Sequence, residues 1–283
     1  MVKRYTVGRA AVSAVNLSVV LDICQQLAAR GPLGYICLTT ATQMHKAQQD
    51  ESLNKLLSDS FLTLCSSKTI ALTGQRQGFR HCGAVDPVML MHSLFLTSAM
   101  QGQSHYFYGA DAKQMRQLKD YVKNSYMAIR IAGTTVISGD STTEDIKTLA
   151  KTLNELKPAF FWCGLPSPQQ ESLLASLQPQ LTHTSCIGVG SAFQALAEAG
   201  IVLPDPGKRT LPGKSRFLAL RRSVTTDKLP VPVMLWLLKL RLKTLFSGKT
   251  KGRERRKHSS RANSRNSGSG SSRSRTLSRK PKR

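Results

Sequence analysis

The sequence predicts an α/β protein built on a Rossmann-like, mostly parallel sheet with helices on both faces. Short apolar runs alternate along the chain with segments of helical periodicity, which is the pattern of βαβ units. The runs are continuously apolar, as expected of strands that are buried on both faces. No run reaches the roughly 18–20 apolar residues that a membrane-spanning helix needs, so the composition excludes a polytopic membrane protein.

The predicted elements follow one another along residues 34–199. Strands are expected at 34–40, 61–65, 105–110, 128–133, 159–164 and 186–190. Helices are expected at 42–57, 112–122, 142–156, 169–177 and 192–199. Thr142 and Glu144 are typical of a helix N-terminus, and Pro168 suits the first turn of the helix that follows it. Ligands of such sheets bind beyond the carboxyl ends of the strands, so we expect the site at the strand-to-helix turns.

The positive charge of the chain, +25 in total, lies almost entirely in its last quarter. Residues 1–207 hold 17 basic and 14 acidic residues, whereas residues 208–283 hold 24 basic and 2 acidic ones. We therefore predict an α/β domain over 1–207 and a basic, apolar, membrane-associating appendage over 208–247. Residues 248–283 are rich in Ser and Arg and are expected to form a disordered tail.

An apolar segment within the appendage, residues 230–246, carries three cations and a tryptophan. As a helix it would place Leu235, Leu238, Leu242 and Leu245 on one face, which favours an interfacial membrane helix. A helix packed into the core is the alternative. The basic tail attracts any polyanion, whether anionic lipid or nucleic acid, but no aromatic residue follows Phe246 to stack on bases.

The six cysteines form no CxxC pair and sit mostly in apolar runs, while the six histidines are scattered. This pattern favours reduced, buried thiols in a cytosolic protein over a metal site. The N-terminus lacks the apolar core of a signal peptide. No GxGxxG or P-loop motif is present, so dinucleotide and ATP sites have little support. We predict no metal and no cofactor.

Three strand ends carry unusual residues, at 109–111, 164–171 and 188–193. At the second, a helix begins on the ligand side of the sheet, and its free N–H groups and positive dipole end form a ready anion or diphosphate site. Gln170 and Glu171 are placed to hydrogen-bond sugar hydroxyls. The glycine at 109 is equally compatible with a simple tight turn.

Together these turns resemble those of the WecG/TagA/CpsF glycosyltransferases, glycosyltransferase family 26, over roughly residues 10–200. That family shows a Gly at the first turn, G-x-(G/P)-x-P-(K)-Q-E at the second and G-V-G-(G/S)-A-F-D at the third. This chain has Gly109, Gly164–Glu171 and Gly188–Phe193 in the same order and spacing. Arg80–Asp86 resembles the family's R-V-x-G-x-D-L element with one residue inserted.

The resemblance implies an enzyme that moves a sugar from a UDP-sugar to a polyprenyl-diphosphate-linked acceptor, with inversion and without a required metal. Such a hexosyltransferase would act in exopolysaccharide or cell-surface glycan synthesis, as a peripheral protein on the inner, cytoplasmic face of the cell membrane. The expected partners are the UDP-sugar donor, the lipid-diphosphate-linked acceptor and an anionic membrane surface. Homo-oligomerisation is left open, and nucleic acid is not an expected partner.

The resemblance and the turns together assign two groups of residues to ligands. The positions expected to bind substrate are Thr39, Thr40, Arg80, Gly109, Gly164, Pro168, Gln169, Gln170, Glu171, Gly188, Gly190 and Gln194. The positions expected to meet the lipid diphosphate or the membrane are Arg209, Arg216, Arg221, Arg222, Trp236, Lys239, Arg241 and Lys243.

The chain departs from the family pattern at polar positions of the expected active site. Ser66 stands where the family carries its general-base Asp, and a serine without a partner has no useful basicity near neutral pH. The T-x-N element becomes Leu38–Thr40, and Gln194 replaces another Asp. Asp86 is the best remaining carboxylate for the base. Two alternatives stay open: a catalytically impaired relative that acts by binding, and a nucleic-acid-associated protein that acts through its tail.

Overall fold

The computed structural model describes residues 2–137, 139, 141–201, 229–240 and 242. Its strands, in chain order, are β1 (Arg4–Val7), β2 (Ala10–Ser13), β3 (Ile36–Thr39), β4 (Leu62–Cys65), β5 (Ser104–Gly109), β6 (Arg130–Val136), β7 (Phe160–Cys163) and β8 (Ser185–Gly188). β1 and β2 form an antiparallel hairpin. The other six strands form one sheet with the order β4–β3–β8–β7–β5–β6, in which every pairing is parallel.

Helices connect these strands in the order that a parallel sheet requires. They are α1 (Leu17–Arg30), α2 (Ala41–Lys46), α3 (Glu51–Asp59), α4 (Lys68–Arg76), α5 (Pro87–Gln101), α6 (Ala112–Ser125), α7 (Thr143–Leu156), α8 (Gln169–Leu177) and α9 (Ala192–Ile201). A further helix, α10, covers residues 231–240. The strands β7 and β8 occupy the middle of the sheet, so the turns that follow them lie at the centre of its carboxyl edge.

Two apolar layers cover the two faces of the sheet. Ile36, Trp162 and Ile187 pack with α1, α5, α6 and α9 on one face. Cys37 and Phe161 pack with α2, α3, α7 and α8 on the other. The predicted fold class, a mostly parallel sheet with helices on both faces, is therefore confirmed.

The single helix predicted at 42–57 is wrong, because the chain forms α2 and α3 with a turn between them. Asp50 caps α3 by accepting a hydrogen bond from the backbone N–H of Leu53 at 3.0 Å. Gln48, in the turn, donates to the carbonyl of Val7 and accepts from the N–H of Arg9 at the hairpin turn. Tertiary hydrogen bonds to the hairpin thus interrupt a helical pattern that periodicity alone would continue.

The cysteines are all free and all buried, as predicted: Cys24, Cys37, Cys65, Cys82, Cys163 and Cys186. Burial raises the pKa of the Cys24 and Cys163 thiols to about 12, so both remain protonated and unreactive at neutral pH. Within the described ranges, no group of three or more His, Cys, Asp or Glu side chains is arranged to hold a metal ion.

The helix α10 belongs to the compact unit that contains the sheet, which extends to residue 241. Val233 and Leu237 are buried in the apolar layer of α2 and α3, and Trp236 meets the edge of His45 at a ring distance of 5.4 Å. The opposite side of α10 is more than half exposed at four apolar side chains, Val231, Met234, Leu235 and Leu238. The helix therefore has one face in the core and one apolar face in solvent.

Among the described helices, none is long and apolar enough to cross a membrane. Residues 202–228 and 243–283 lie outside the described part of the chain. The domain boundaries at 207 and 247 and the disorder of the tail consequently stay predictions.

Candidate functional site

The strand-to-helix turns meet along the carboxyl edge of the sheet. The N–H of Ser66 donates to the carbonyl of Thr39 at 3.0 Å, and the N–H of Val189 donates to the carbonyl of Cys163 at 2.9 Å. We divide this edge into a packed half, the turns after β7 and β8 (164–171 and 188–193), and an open half, the turns after β3 and β4 together with the start of α5. In the packed half a buried amide joins the two turns to each other, whereas in the open half the polar side chains cap helices or bond to strand carbonyls.

Gln170 joins the two turns of the packed half. Its side chain is fully buried; the Oε1 atom accepts from the N–H of Gly190 at 2.7 Å, and the Nε2 atom donates to Glu171 at 3.2 Å. A Cβ atom at Gly188 would lie 2.5 Å from the Gln170 side chain. The sequence pattern Gln170–Gly188–Gly190 is therefore one interlocked unit, in which Gln170 supports the turns from below rather than facing solvent.

Phe193 fills the space that the other two glycines leave open. A Cβ atom at Gly164 would overlap the ring of Phe193, and one at Gly109 would lie 3.6 Å from it. Phe193 is itself buried among the side chains of α9 and the sheet. Close packing of this ring against the backbone thus explains Gly164, whereas the tightest contact of a Cβ atom at Gly109 would be with Met115, at 3.2 Å.

Glu171 is a fully buried carboxylate at the start of α8. Its Oε1 atom accepts from Gln170, while its Oε2 atom has no hydrogen-bond partner. Burial raises the pKa of the neighbouring Cys37 thiol, and the charge of Glu171 raises it further. The side chain lies under the turn and faces the thiols of the sheet.

The N-terminus of α8 lacks the side-chain cap that several neighbouring helices have. Thr40, Ser67, Asp111 and Thr142 each accept a backbone N–H at the start of α2, α4, α6 and α7. Pro168, at the corresponding position of α8, makes no such bond. The positive end of this nine-residue helix therefore faces the carboxyl edge without a side-chain cap, and Glu171 is the acidic side chain of its first turn.

A cavity of about 430 Å³ lies beside this helix start. Its walls come from α3, from the loop between β6 and α7, and from the first turns of α8. Lining side chains include Ser52, Leu56, Ile137, Ser141, Pro168 and Gln169. The volume is in the range of small-molecule sites, roughly 300–1,000 Å³.

The open half carries hydroxyl groups at the ends of β3 and β4. Thr39 is buried, and its Oγ1 atom donates to the carbonyl of Leu64 at 2.8 Å. Thr40 is exposed and forms a capping box with Gln43. Ser66 is half-buried, and its Oγ atom lies 3.4 Å from the carbonyl of Thr39. No cation or carboxylate among the described residues makes a hydrogen bond to Ser66 that would increase its basicity.

Asp86 brings a carboxylate to the open half. The N–H of Val85 donates to the carbonyl of Cys65 at 3.0 Å, which places Asp86 next to the turn of Ser66. Its Oδ1 atom caps α5 by accepting from Val88 and Met89, whereas its Oδ2 atom is buried without a partner. One carboxylate oxygen is thus fixed by the helix, and the other is buried beside the turn of Ser66 without a hydrogen-bond partner.

Other predicted positions lie away from this arrangement. Arg80 is exposed on the turn after α4. Gln194 is exposed and donates to Glu198 at 2.8 Å along α9. Trp236 packs on the body and Lys239 is exposed on α10. The remaining predicted lipid or membrane contacts fall outside the described residues: Arg209, Arg216, Arg221, Arg222, Arg241 and Lys243.

The sequence alone did not indicate several residues that line the cavity. Ser52 lies on α3, which the sequence merged with α2, and Ser141 accepts or donates a hydrogen bond with Tyr108 at 2.7 Å. Isolated serines in helices and loops have no distinctive spacing, so only the fold brings them to the site.

Comparison with known families gives one match. The model of the glycosyl transferase WecG/TagA/CpsF family matches residues 5–205, which contain the whole sheet and both halves of its carboxyl edge. A search of curated proteins gives no match.

Proposed function

The chain belongs to the glycosyl transferase WecG/TagA/CpsF family, and from that premise we propose that it transfers a sugar from a UDP-sugar to a polyprenyl-diphosphate-linked acceptor. Membership of the family implies glycosyl transfer in cell-surface glycan synthesis. The nature of the donor and of the acceptor, and inversion at the anomeric carbon, are our additions. Exopolysaccharide synthesis is the setting that we propose.

The uncapped start of α8 is the observation that carries the proposal. The positive dipole end of a helix N-terminus favours phosphate oxygens. The adjoining cavity of about 430 Å³ provides room for the rest of a nucleotide. We therefore place the donor diphosphate beside the first turn of α8, with the packed half as its rigid support.

The open half supplies the base in this proposal. The acceptor hydroxyl attacks the anomeric carbon on the face opposite the UDP oxygen and passes its proton to the Asp86 carboxylate. One carbon–oxygen bond forms to the acceptor, the bond to the UDP oxygen breaks, and UDP leaves with the electron pair. A single displacement of this kind inverts the anomeric centre. The positive end of α8 stabilises the charge that develops on UDP.

A peripheral position on the inner face of the cell membrane completes the proposal. The exposed apolar side of α10 and the 24 basic residues after 207 support attachment to an anionic lipid surface, since apolar insertion and charge attraction add. The arginines at 209, 216, 221 and 222 would neutralise the lipid diphosphate of the acceptor. An acceptor of this kind stays in the bilayer, so the enzyme must come to it.

A turnover assay tests the catalytic part of the proposal. The full chain is mixed with anionic vesicles that carry a polyprenyl-diphosphate-linked acceptor and with a panel of UDP-sugars, and UDP release is measured. Release that depends on both the acceptor and one UDP-sugar is expected. Binding of UDP without turnover across the panel would favour the second candidate, an impaired relative that binds without catalysis, which the serine at position 66 suggests.

Sedimentation with vesicles tests the membrane part. The double variant Leu235→Glu/Leu238→Glu places charge on the exposed face of α10, and we expect it to sediment less with anionic vesicles. Leu33→Glu is the matched control, because Leu33 is 73% exposed at the amino edge of the sheet. Equal sedimentation of both variants and the wild type would contradict the role of α10. Salt-sensitive binding to RNA as strong as binding to vesicles would show that the tail acts only as a polycation.

A further inference from the structure

We propose that Glu171 is a positioning residue, which acts through Gln170 on the turn after β8 and so fixes the backbone between the donor diphosphate and the base. Its effect on the reaction rests on the proposed function. The link from Glu171 to the turn rests only on the hydrogen bonds of the packed half. Glu171 lies under the turn and acts without touching a ligand.

The turn after β8, residues 188–191, lies between the two groups that the proposed reaction needs. In the order β4–β3–β8–β7, the strand β8 separates β7, which leads to α8, from β3 and β4. Neighbouring strands are about 4.8 Å apart, so a carbon that passes from a diphosphate beside α8 to an acceptor at Asp86 lies over this turn. The position of the turn therefore sets the distances between the reacting atoms.

The backbone of this turn depends on Gln170 for its position. Gly188 and Gly190 have no side chains to restrain them, and Gly190 has a φ of 52°, in the left-handed region that favours glycine. The N–H of Gly190 donates to Gln170 Oε1 at 2.7 Å. The same side chain fills the space next to Gly188, where a Cβ atom would come within 2.5 Å of it. A displaced amide would therefore displace the turn.

Glu171 holds the amide of Gln170 in place. In the register of the sheet, Gly188 lies between Cys37 and Cys163, and thiols are weak hydrogen-bonding groups. The Nε2 atom of Gln170 donates instead to Glu171 Oε1 at 3.2 Å. A carboxylate only accepts hydrogen bonds, so this bond fixes which end of the amide faces the turn.

The burial of Glu171 indicates that its carboxylate does not serve stability. The side chain is fully buried, and its Oε2 atom has no hydrogen-bond partner among the described residues. Burying a polar atom without a partner costs free energy of folding, and an apolar side chain of similar size in place of such a group is often neutral or stabilising. A cost of this kind is expected where function needs one arrangement of the backbone.

Two substitutions separate the hydrogen bond from the charge. Glu171→Met removes the acceptor at similar length, whereas Glu171→Gln keeps an acceptor oxygen. We measure turnover, UDP affinity, melting temperature and, by NMR of the full chain labelled with ¹⁵N-glycine, hydrogen exchange of the Gly190 N–H. For Glu171→Met we expect turnover about tenfold lower and exchange about tenfold faster. Its UDP affinity and melting temperature are expected to equal those of the wild type, and Glu171→Gln is expected to match the wild type in all four measurements.

Gln178→Met is the matched control. Gln178 is also a buried amide bonded to β8, and its Oε1 atom accepts from the N–H of Cys186 at 3.0 Å, toward the amino end of the strand. We expect this variant to lower the melting temperature and to leave turnover and the exchange of Gly190 unchanged. It shows what a purely structural amide does in the same strand.

Each remaining outcome decides against a definite part of the proposal. Turnover of Glu171→Met that equals the wild type, or that falls only together with its melting temperature or UDP affinity, overturns the positioning role. An equal loss of turnover in Glu171→Gln overturns it as well, because the charge and not the hydrogen bond would then matter. Unchanged exchange of Gly190 in Glu171→Met overturns the link to the turn even if the wild type is inactive. A wild type that transfers no sugar overturns the proposed function, while the exchange of Gly190 still decides whether Glu171 holds the turn.

Discussion

The two halves of the carboxyl edge differ in what their side chains are occupied with. In the packed half, the side-chain amide of Gln170 forms hydrogen bonds with Gly190 and Glu171, and Phe193 fills the space next to Gly164. In the open half, Thr40 and Asp86 cap helices and Thr39 and Ser66 bond to strand carbonyls. Each half holds one carboxylate oxygen without a partner, on Asp86 and on Glu171. The turns that most resemble the family are thus largely explained by packing, while two of the departures from the family, Thr40 and Ser66, lie in the open half. In this chain the residues shared with the family mainly stabilise the turns of the site, and they indicate less about its reaction.

The core beneath the packed half gives the largest expected effect. Burial lowers the pKa of His105 to about 3, and its Nδ1 atom accepts from the indole of Trp162 at 3.0 Å. The folded protein keeps this imidazole neutral, whereas the unfolded chain protonates it below about pH 6.5. The free energy of unfolding is therefore not reduced by this group above pH 6.5. It decreases as the pH falls toward 3, by up to about 5 kcal/mol.

Denaturant unfolding at several pH values measures this effect. His105→Phe is expected to lose less unfolding free energy than the wild type between pH 6.5 and 3.5, while its stability at pH 7 falls because the indole loses its acceptor. His183→Phe, which replaces an exposed imidazole, is the control. An unchanged pH dependence in His105→Phe would show that the imidazole is not held neutral by the core.

A substitution that adds a single methyl group tests how tightly the packed half is packed. Gly164→Ala would force its Cβ atom into the ring of Phe193, and such overpacking costs about 3 kcal/mol. Gly83→Ala is the matched control, because a Cβ atom there would meet Asn16 at an ordinary 3.5 Å. Chemical denaturation gives both values. Equal stability of the two variants would mean that the turn yields and that Gly164 is needed for another reason.

A substitution in the open half is expected to have a smaller effect, and to raise turnover rather than to lower stability. Ser66→Asp restores a carboxylate at the position where the family carries one, and we expect turnover to rise about tenfold, a fraction of what a positioned base contributes. Ser67→Asp adds the same charge one residue further on, where Asp caps α4 as well as Ser does. A fall in turnover for Ser66→Asp alone would show that a hydroxyl is required at this position.

The sequence predicted the parallel sheet well, and it predicted the other elements of the first hundred residues poorly. The strands β3, β4, β5, β7 and β8 were predicted because continuous apolar runs identify buried parallel strands. The hairpin β1–β2 and the helices α1, α4 and α5 were not assigned. In α5 the apolar side chains are spread around the helix, which removes the helical period on which such an assignment depends.

The candidate site was predicted in part. The start of α8 was found because Pro168 and the glycines before it mark a strand-to-helix turn. The direction in which Gln170 points was not, since whether an amide faces a ligand or a neighbouring turn depends on the space that Gly188 leaves. Ser52 and Ser141 reach the cavity only through the packing of α3 and of the loop after β6. Local patterns locate turns, and tertiary packing decides which atoms of a turn are available.

The assignment of Asp86 as the base is the central claim, and Asp86→Asn tests it most directly. Asn caps a helix as well as Asp does, so the bonds to Val88 and Met89 can persist while the proton acceptor is lost. Asp111→Asn, at the cap of α6 on the same edge, is the control. With UDP-sugar and lipid-linked acceptor, we predict that Asp86→Asn lowers turnover about 100-fold or more with unchanged UDP affinity and melting temperature. Turnover equal to that of Asp111→Asn and the wild type would contradict the account.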